Sequence, residues 1–179
     1  MYIRHMAYIL PVKDKSPQLG NDCWLAPNAT LVGDIEAGNN CTFWFNSVVR
    51  GDVHSIRLGN RVNVQDGAVI HCTYQKAATT IGNDVSIGHN ALVHGCTIHD
   101  HVLIGMGSIV MDGCVVESGS IIAAGAVLLE GTHVEAGSIY AGVPAKKVKS
   151  IDVNSSIERL QTLASNYVMY SSWFKNDVS

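Results

Sequence analysis

Three histidines, His71 in VIHCT and His89 and His94 in IGHNALVHG, fall close together in a 179-residue chain of which only 15% is charged. Neutral imidazole is a good ligand for divalent cations, and three of them around one ion with a fourth position open form the donor set of a catalytic zinc site. Such an ion lowers the pKa of its bound water toward about 7 and so supplies hydroxide at neutral pH. Ferrous iron and cobalt accept the same ligands, so ligand type leaves Zn²⁺, Fe²⁺ and Co²⁺ open. A histidine met singly is more often a solvated surface residue, and the metal reading holds only if the fold brings these three to one point.

The elements that must position them follow a period of six. Aliphatic or aromatic residues recur at Leu25, Leu31, Ala37, Phe43 and Val49, at Leu58, Val64 and Ile70, and at Ile81, Ile87 and Val93. After one step of five they resume at Ile98, Ile104, Val110, Val116, Ile122, Leu128, Val134 and Tyr140. Small or β-branched residues lie four positions after each marker. They are preceded by residues tolerant of positive φ, such as Asn28, Asp34, Asn40, Asn46, Asp84, Asn90 or a glycine. Each hexad thus encodes one short strand and one corner, and three hexads close a triangular rung of about 18 residues that stacks on the next. The fold class is all-β, a hexapeptide-repeat parallel β-helix.

One domain over residues 1–179 is expected, with a leading segment at 1–22, the β-helix at 23–146 and a C-terminal helix at 154–175 packed along it. Ser155-Ser156-Ile157-Glu158 is a capping-box pattern ahead of an apolar stripe at Ile157, Leu160, Ala164, Tyr167, Tyr170 and Phe174. YAGVPAKKV reads as the exit from the last rung, where Pro144 ends the repeat.

Composition narrows the function. A net charge of -3, with no basic run longer than Lys146-Lys147-Val148-Lys149, argues against nucleic acid as a partner. No stretch is long and apolar enough to span a membrane, and the start lacks a signal peptide's apolar core, so a cytoplasmic protein is expected. The five cysteines have no CxxC pair and read as reduced residues.

The repeat also serves as a ruler. Ile70, Ile81, Ile87 and Val93 are successive faces if a loop around TYQKA is inserted at a corner. Ile70 and Val93 then share a face on adjacent rungs, and His71 and His94 stack about 4.8 Å apart, pointing outward. His89 lies on the preceding face beyond a corner. With VHS looped out after Asp52, Arg50 joins the column of His71 and His94, while Asp66 joins that of His89, with Gln65 beside it. A cyclic homotrimer brings the two columns together through a head-to-tail contact that closes. An Arg50 to Asp66 ion pair between subunits is natural there.

RGDVHSIRLGNRVNVQDGAVIHCT, followed by TTIGNDVSIGHNALVHGCTIHDHVLIGMGS, resembles the gamma-class carbonic anhydrases and their relatives, over nearly the whole chain. The resemblance implies a left-handed β-helix, a homotrimer and hydration of CO₂ to bicarbonate. His71, His89 and His94 match the metal ligands, with His89 supplied by the neighbouring subunit. Arg50 and Asp52 match an RxD motif, and Asn63, Gln65 and Asp66 match an NxQD motif. By the same resemblance Gln65 positions the metal-bound hydroxide, Arg50 and Asp66 tie subunits together, and Tyr167 in SNYVMY is a tyrosine that the C-terminal helix brings near the site.

Two departures stand out. Val53 follows Asp52 where active relatives carry an acidic residue, and the loop TYQKAATT has no carboxylate, which removes the family's proton shuttle. His54 is available in type as a substitute, although a solvated loop residue is the simpler reading for it, as for His5, His99, His101 and His133. Two other classes of function compete. A hexapeptide acyltransferase would account for YAGVPAKKV, with a metal-dependent thioesterase as a variant. A non-catalytic assembly protein would keep the metal for trimer stability.

Overall fold

The computed structural model describes residues 6–175, so His5 lies outside the described residues. Strands of mostly two or three residues stack in parallel into a left-handed β-helix of about seven turns, with one helix at its C-terminal end. One face runs through Val69–His71, Leu92–His94, Ile109–Val110 and Val127–Leu128. A second runs from Trp24–Leu25 through Asn63–Val64, Ser86–Ile87 and Leu103–Ile104 to Ser138–Gly142. The third holds Thr79–Ile81, Thr97–Ile98, Val115–Val116 and His133–Val134. Two longer strands, Thr30–Ala37 and Val48–Leu58, run round the corner that joins the first face to the third.

The core is the column of hexad markers. From Leu31 to Tyr140 every one is buried, and only Leu25, near the open end of the coil, is half-buried. The corners turn largely as expected, through positive φ at Asn40, Asn46, Asp84, Asn90 and the glycines. Asn28 and Asp34 do not take part. Gly33 carries the positive φ there, because Thr30–Ala37 passes through the corner as continuous strand beside the bulge of Val48–Leu58.

Three boundaries differ from expectation. The coil begins before residue 23, since Tyr8–Leu10 and Gln18–Leu19 pair in parallel with Thr30–Ala37. Tyr8–Leu10 falls outside the six-residue period, whereas Leu19 stands six residues before Leu25 and pairs with Ala37, so the period runs back to it. At the other end the chain does not simply leave after Pro144, because Ala145–Ser150 turns back antiparallel on Ser138–Gly142 and closes the open edge.

The helix spans Val153–Lys175, one residue longer than expected, and Asp152 caps it rather than Ser155. The Asp152 carboxylate accepts the Ser155 backbone N–H at 2.8 Å. Ser156 instead donates its hydroxyl to the Gly119 carbonyl at 2.8 Å, tying the helix to the coil. Leu160 and Ala164 are buried beneath it, and Tyr167 meets Trp44 edge-on at 5.5 Å. Asp152→Ala is therefore expected to cost about 1 kcal/mol in chemical denaturation, with Ser155→Ala near neutral; the reverse order would restore Ser155 as the cap.

Candidate metal centre

His71 and His94 are direct partners across neighbouring parallel strands, with Ile70 opposite Val93. Their rings meet edge-on at 5.0 Å between centroids, and Nδ1 of His71 lies 3.1 Å from Nε2 of His94. The outer nitrogen of each ring faces a carboxylate. His71 Nε2 is 3.0 Å from Asp52 Oδ1, and His94 Nδ1 is 2.5 Å from Asp112 Oδ1.

Charge fixes the protons. Burial pushes the Asp52 carboxyl up, but hydrogen bonds from His71 and Arg50 outweigh it and hold the group below its usual range. Burial likewise acts on Asp112 and is outweighed by hydrogen bonds from Thr73 and His94. Both are ionised at neutral pH, and an ionised carboxylate only accepts. With both rings neutral, the outer nitrogens carry the protons and two bare nitrogens face each other at 3.1 Å. Lone pairs in that position repel, and a shared cation between them, a proton or a metal ion, relieves the repulsion. Burial also pushes the His71 imidazole down, which Asp52 only partly reverses, so the ring is kept neutral as a ligand must be.

His89 follows Ser86–Ile87 on the second face and uses the same device. Its Nδ1 is 2.9 Å from Asp66 Oδ2, so Nε2 is the nitrogen that the carboxylate does not engage. Asp66 stands two residues after Val64, which pairs with Ile87, as the ruler requires. Each of the three imidazoles thus has its own carboxylate, an arrangement typical of metal-ligating histidines. One chain, however, brings only two of them together. Among the described residues no group of three His, Cys, Asp or Glu side chains could hold an ion.

Beside His89, Gln65 donates through Nε2 to Asn63 Oδ1 at 2.9 Å, and Asn63 donates to Ser86 Oγ at 2.8 Å. Both amides are buried and cannot swing away. Gln65, His89, Met106 and Leu163 share with Tyr167 a cavity of about 330 Å³. Burial raises the Tyr167 hydroxyl, with smaller contributions from Asp66 and Tyr170, so it stays a donor. A second cavity of about 450 Å³ adjoins His94 and Asp112, walled by Leu92, Ile109 and Val127. Each half of the expected centre therefore opens on an apolar recess.

Arg50 occupies the column above His71, since Val49 pairs with Ile70, and within the chain it holds Asp52 at 2.6 Å. Asp66 holds His89 at 2.9 Å, so within the chain Arg50 and Asp66 each have another partner. Asp112 and Thr73 were missed by the sequence reading. The only signal is that Asp112 follows Val110, which stacks on Val93, by two residues rather than one. Of the other histidines, His54 shares a small cavity with Asp52, while His99 and His133 face Glu117 at 3.7 and 3.0 Å. His101 is not simply solvated: it packs 3.5 Å from the buried Asp84, which Arg61 grips at 2.6 Å. Burial pushes the Cys72 and Cys96 thiols up, which keeps them protonated and poor ligands.

The family model described as bacterial transferase hexapeptide (six repeats) matches residues 95–130. The chain is 39% identical to protein YrdA of Escherichia coli over 89% of its own length and 90% of the relative's. It is also 39% identical to a carbonic anhydrase of Geobacillus kaustophilus, over 93% of this chain and 91% of the other. The chain belongs to the gamma carbonic anhydrase family. A hexapeptide transferase family protein from Anaplasma phagocytophilum has the same fold, with a TM-score of 0.85 and 36% identity over 96% of this chain and 99% of that one.

The direction of the His71 shift is testable by NMR titration of the metal-free protein. His71 is expected to titrate below about 6.5. Because its folded pKa is depressed, its contribution to stability falls as pH drops from about 6.5 through that value. Asp52→Asn should lower it further; a rise would contradict the roles given to burial and to Asp52.

Proposed function

We propose that this protein hydrates CO₂ to bicarbonate as a metal-dependent homotrimer. His71 and His94 of one subunit, with His89 of the next, would hold one divalent ion at each interface, Zn²⁺ being the first choice among Zn²⁺, Fe²⁺ and Co²⁺. The observation that carries this reading is the close approach of His71 Nδ1 and His94 Nε2 at 3.1 Å, with a carboxylate at the other nitrogen of each ring. When bound, such an ion makes a water molecule nucleophilic near neutral pH.

The chain's own groups do the rest. Asp52, Asp66 and Asp112 keep protons on the outer nitrogens of the three rings, so the inner nitrogens stay free to bind. Gln65 spends one N–H on Asn63 and presents Oε1 as an acceptor, suited to orienting the attacking water. Tyr167 offers a hydroxyl at the same recess. The aliphatic walls at Leu92, Ile109 and Val127 suit an apolar substrate such as CO₂. Arg50 and Asp66 would pair across the interface and fix its register.

Each turnover releases one proton, and the chain lacks the acidic residues that export it in the family's active members. Val53 and the loop at 73–80 offer none. Proton export should then limit the rate, and a small diffusible base should relieve that limit.

Stopped-flow hydration of CO₂ by zinc-loaded protein should exceed background and rise several-fold with added imidazole buffer. His89→Ala should fall to background. A fully active His89→Ala protein would contradict the shared site. If metal removal dissociates the trimer and no hydration appears over a wide pH range, the metal serves assembly instead. Low micromolar binding of acetyl-CoA by calorimetry would favour acyl transfer, and thiol release from acyl thioesters would favour the thioesterase variant.

A further inference from the structure

The loop between His71 and Thr79 lacks the carboxylates of its relatives, yet it touches the candidate centre by another route. Thr73 donates its hydroxyl to Asp112 Oδ2 at 2.5 Å, leaving Oδ1 to receive the His94 Nδ1–H at 2.5 Å. We propose that Asp112, clamped by Thr73, is the positioning residue that holds His94 in its Nδ1–H tautomer and so sets the metal affinity of the centre. This rests on the metal reading of the three histidines. It assigns to the non-acidic loop a role in holding the ion in place of the proton-transfer role of its relatives.

Four features make this a built contact. The two carboxylate oxygens are divided between two donors, so the group cannot rotate without losing one of them. Gly95, at φ +52°, makes the approach possible, because a Cβ there would collide with the Asp112 carboxylate and with Ala77. The loop is anchored at three further points. The Thr73 and Ala77 backbones bond at 3.0 Å, Lys76 reaches Glu130 at 2.9 Å, and Thr79 donates to the His71 carbonyl at 2.6 Å. Finally, Asp112 lies one turn of the coil beyond His94, so its position is set by strand register and does not depend on the metal. Loss of such an outer partner lowers metal affinity by about 10–100-fold in comparable sites.

The tautomer gives a readout that neither activity nor simple packing would mimic. In the ¹⁵N-labelled, metal-free protein, long-range ¹H–¹⁵N correlation spectra should show His94 protonated at Nδ1. Asp112→Ala should move the proton to Nε2, Asp112→Asn should retain Nδ1–H because its amide oxygen still accepts, and Thr73→Val should give a mixture. Zinc affinity, measured by competition with a chromophoric chelator, should fall about 10–100-fold in Asp112→Ala and less in Asp112→Asn. His94 protonated at Nε2 in the wild type, or Asp112→Ala with unchanged zinc affinity, would overturn the inference and leave the histidine centre standing. A wild type that binds no zinc while His94 keeps Nδ1–H would overturn the metal reading and the affinity claim, but uphold the positioning role.

Discussion

Parallel, in-register stacking of each turn on the next is the constraint from which the site follows. Backbone hydrogen bonds between adjacent strands set the His71 and His94 backbones one strand spacing apart, before any ion is present. A corner ladder protects that register. The side-chain oxygens of Asn39, Asn60, Asn83 and Asp100 accept in turn from the backbone N–H of Asn21, Asn39, Asn60 and Asn83, at 2.8, 2.8, 2.9 and 2.6 Å. A slip of one residue would turn the histidines inward and the markers outward, exposing the aliphatic column. The hydrophobic core therefore enforces the spacing of the imidazoles.

Held so closely, the two rings are in a state that the fold tolerates without relieving. While both rings are neutral, carboxylates at both outer nitrogens hold the protons there, so neither ring donates to the other without taking up a further proton. The same choice recurs at His89 with Asp66, on a different face. If the three imidazoles bind one ion as proposed, a ligand set divided between two faces is complete only where two surfaces meet. Assembly and metal binding should then be coupled in both directions, each raising the apparent strength of the other.

Much of this was legible because a six-residue period converts position in sequence into position in space. Counting hexads put His71 over His94, Arg50 in their column and Asp66 beside His89, all of which the strand register bears out. The VHS insertion at 53–55 falls in the bulge between Gly51 and Ile56, and the one around 75 falls between Ile70 and Thr79, where the count looped them out. What escaped depends on local geometry rather than period. The strand Tyr8–Leu10 carries no marker. Asp152 competes with Ser155 as a cap, and the chain chose the earlier residue because Ser156 is used to fasten the helix to Gly119. Asp112 reaches His94 from the second position after its marker, a contact that hinges on the missing side chain at Gly95.

The shared centre is tested most directly by mixing two defective subunits. His89→Ala and His94→Ala proteins would each be purified, unfolded and refolded together in equal amounts. Each variant alone should bind almost no zinc at the centre. With random assembly, about one interface in four joins an intact His71 and His94 pair to an intact His89 from the neighbour. Zinc content and CO₂ hydration should both return to about a quarter of the wild-type level. A mixture that binds no more zinc than the separate variants would contradict a centre built between subunits.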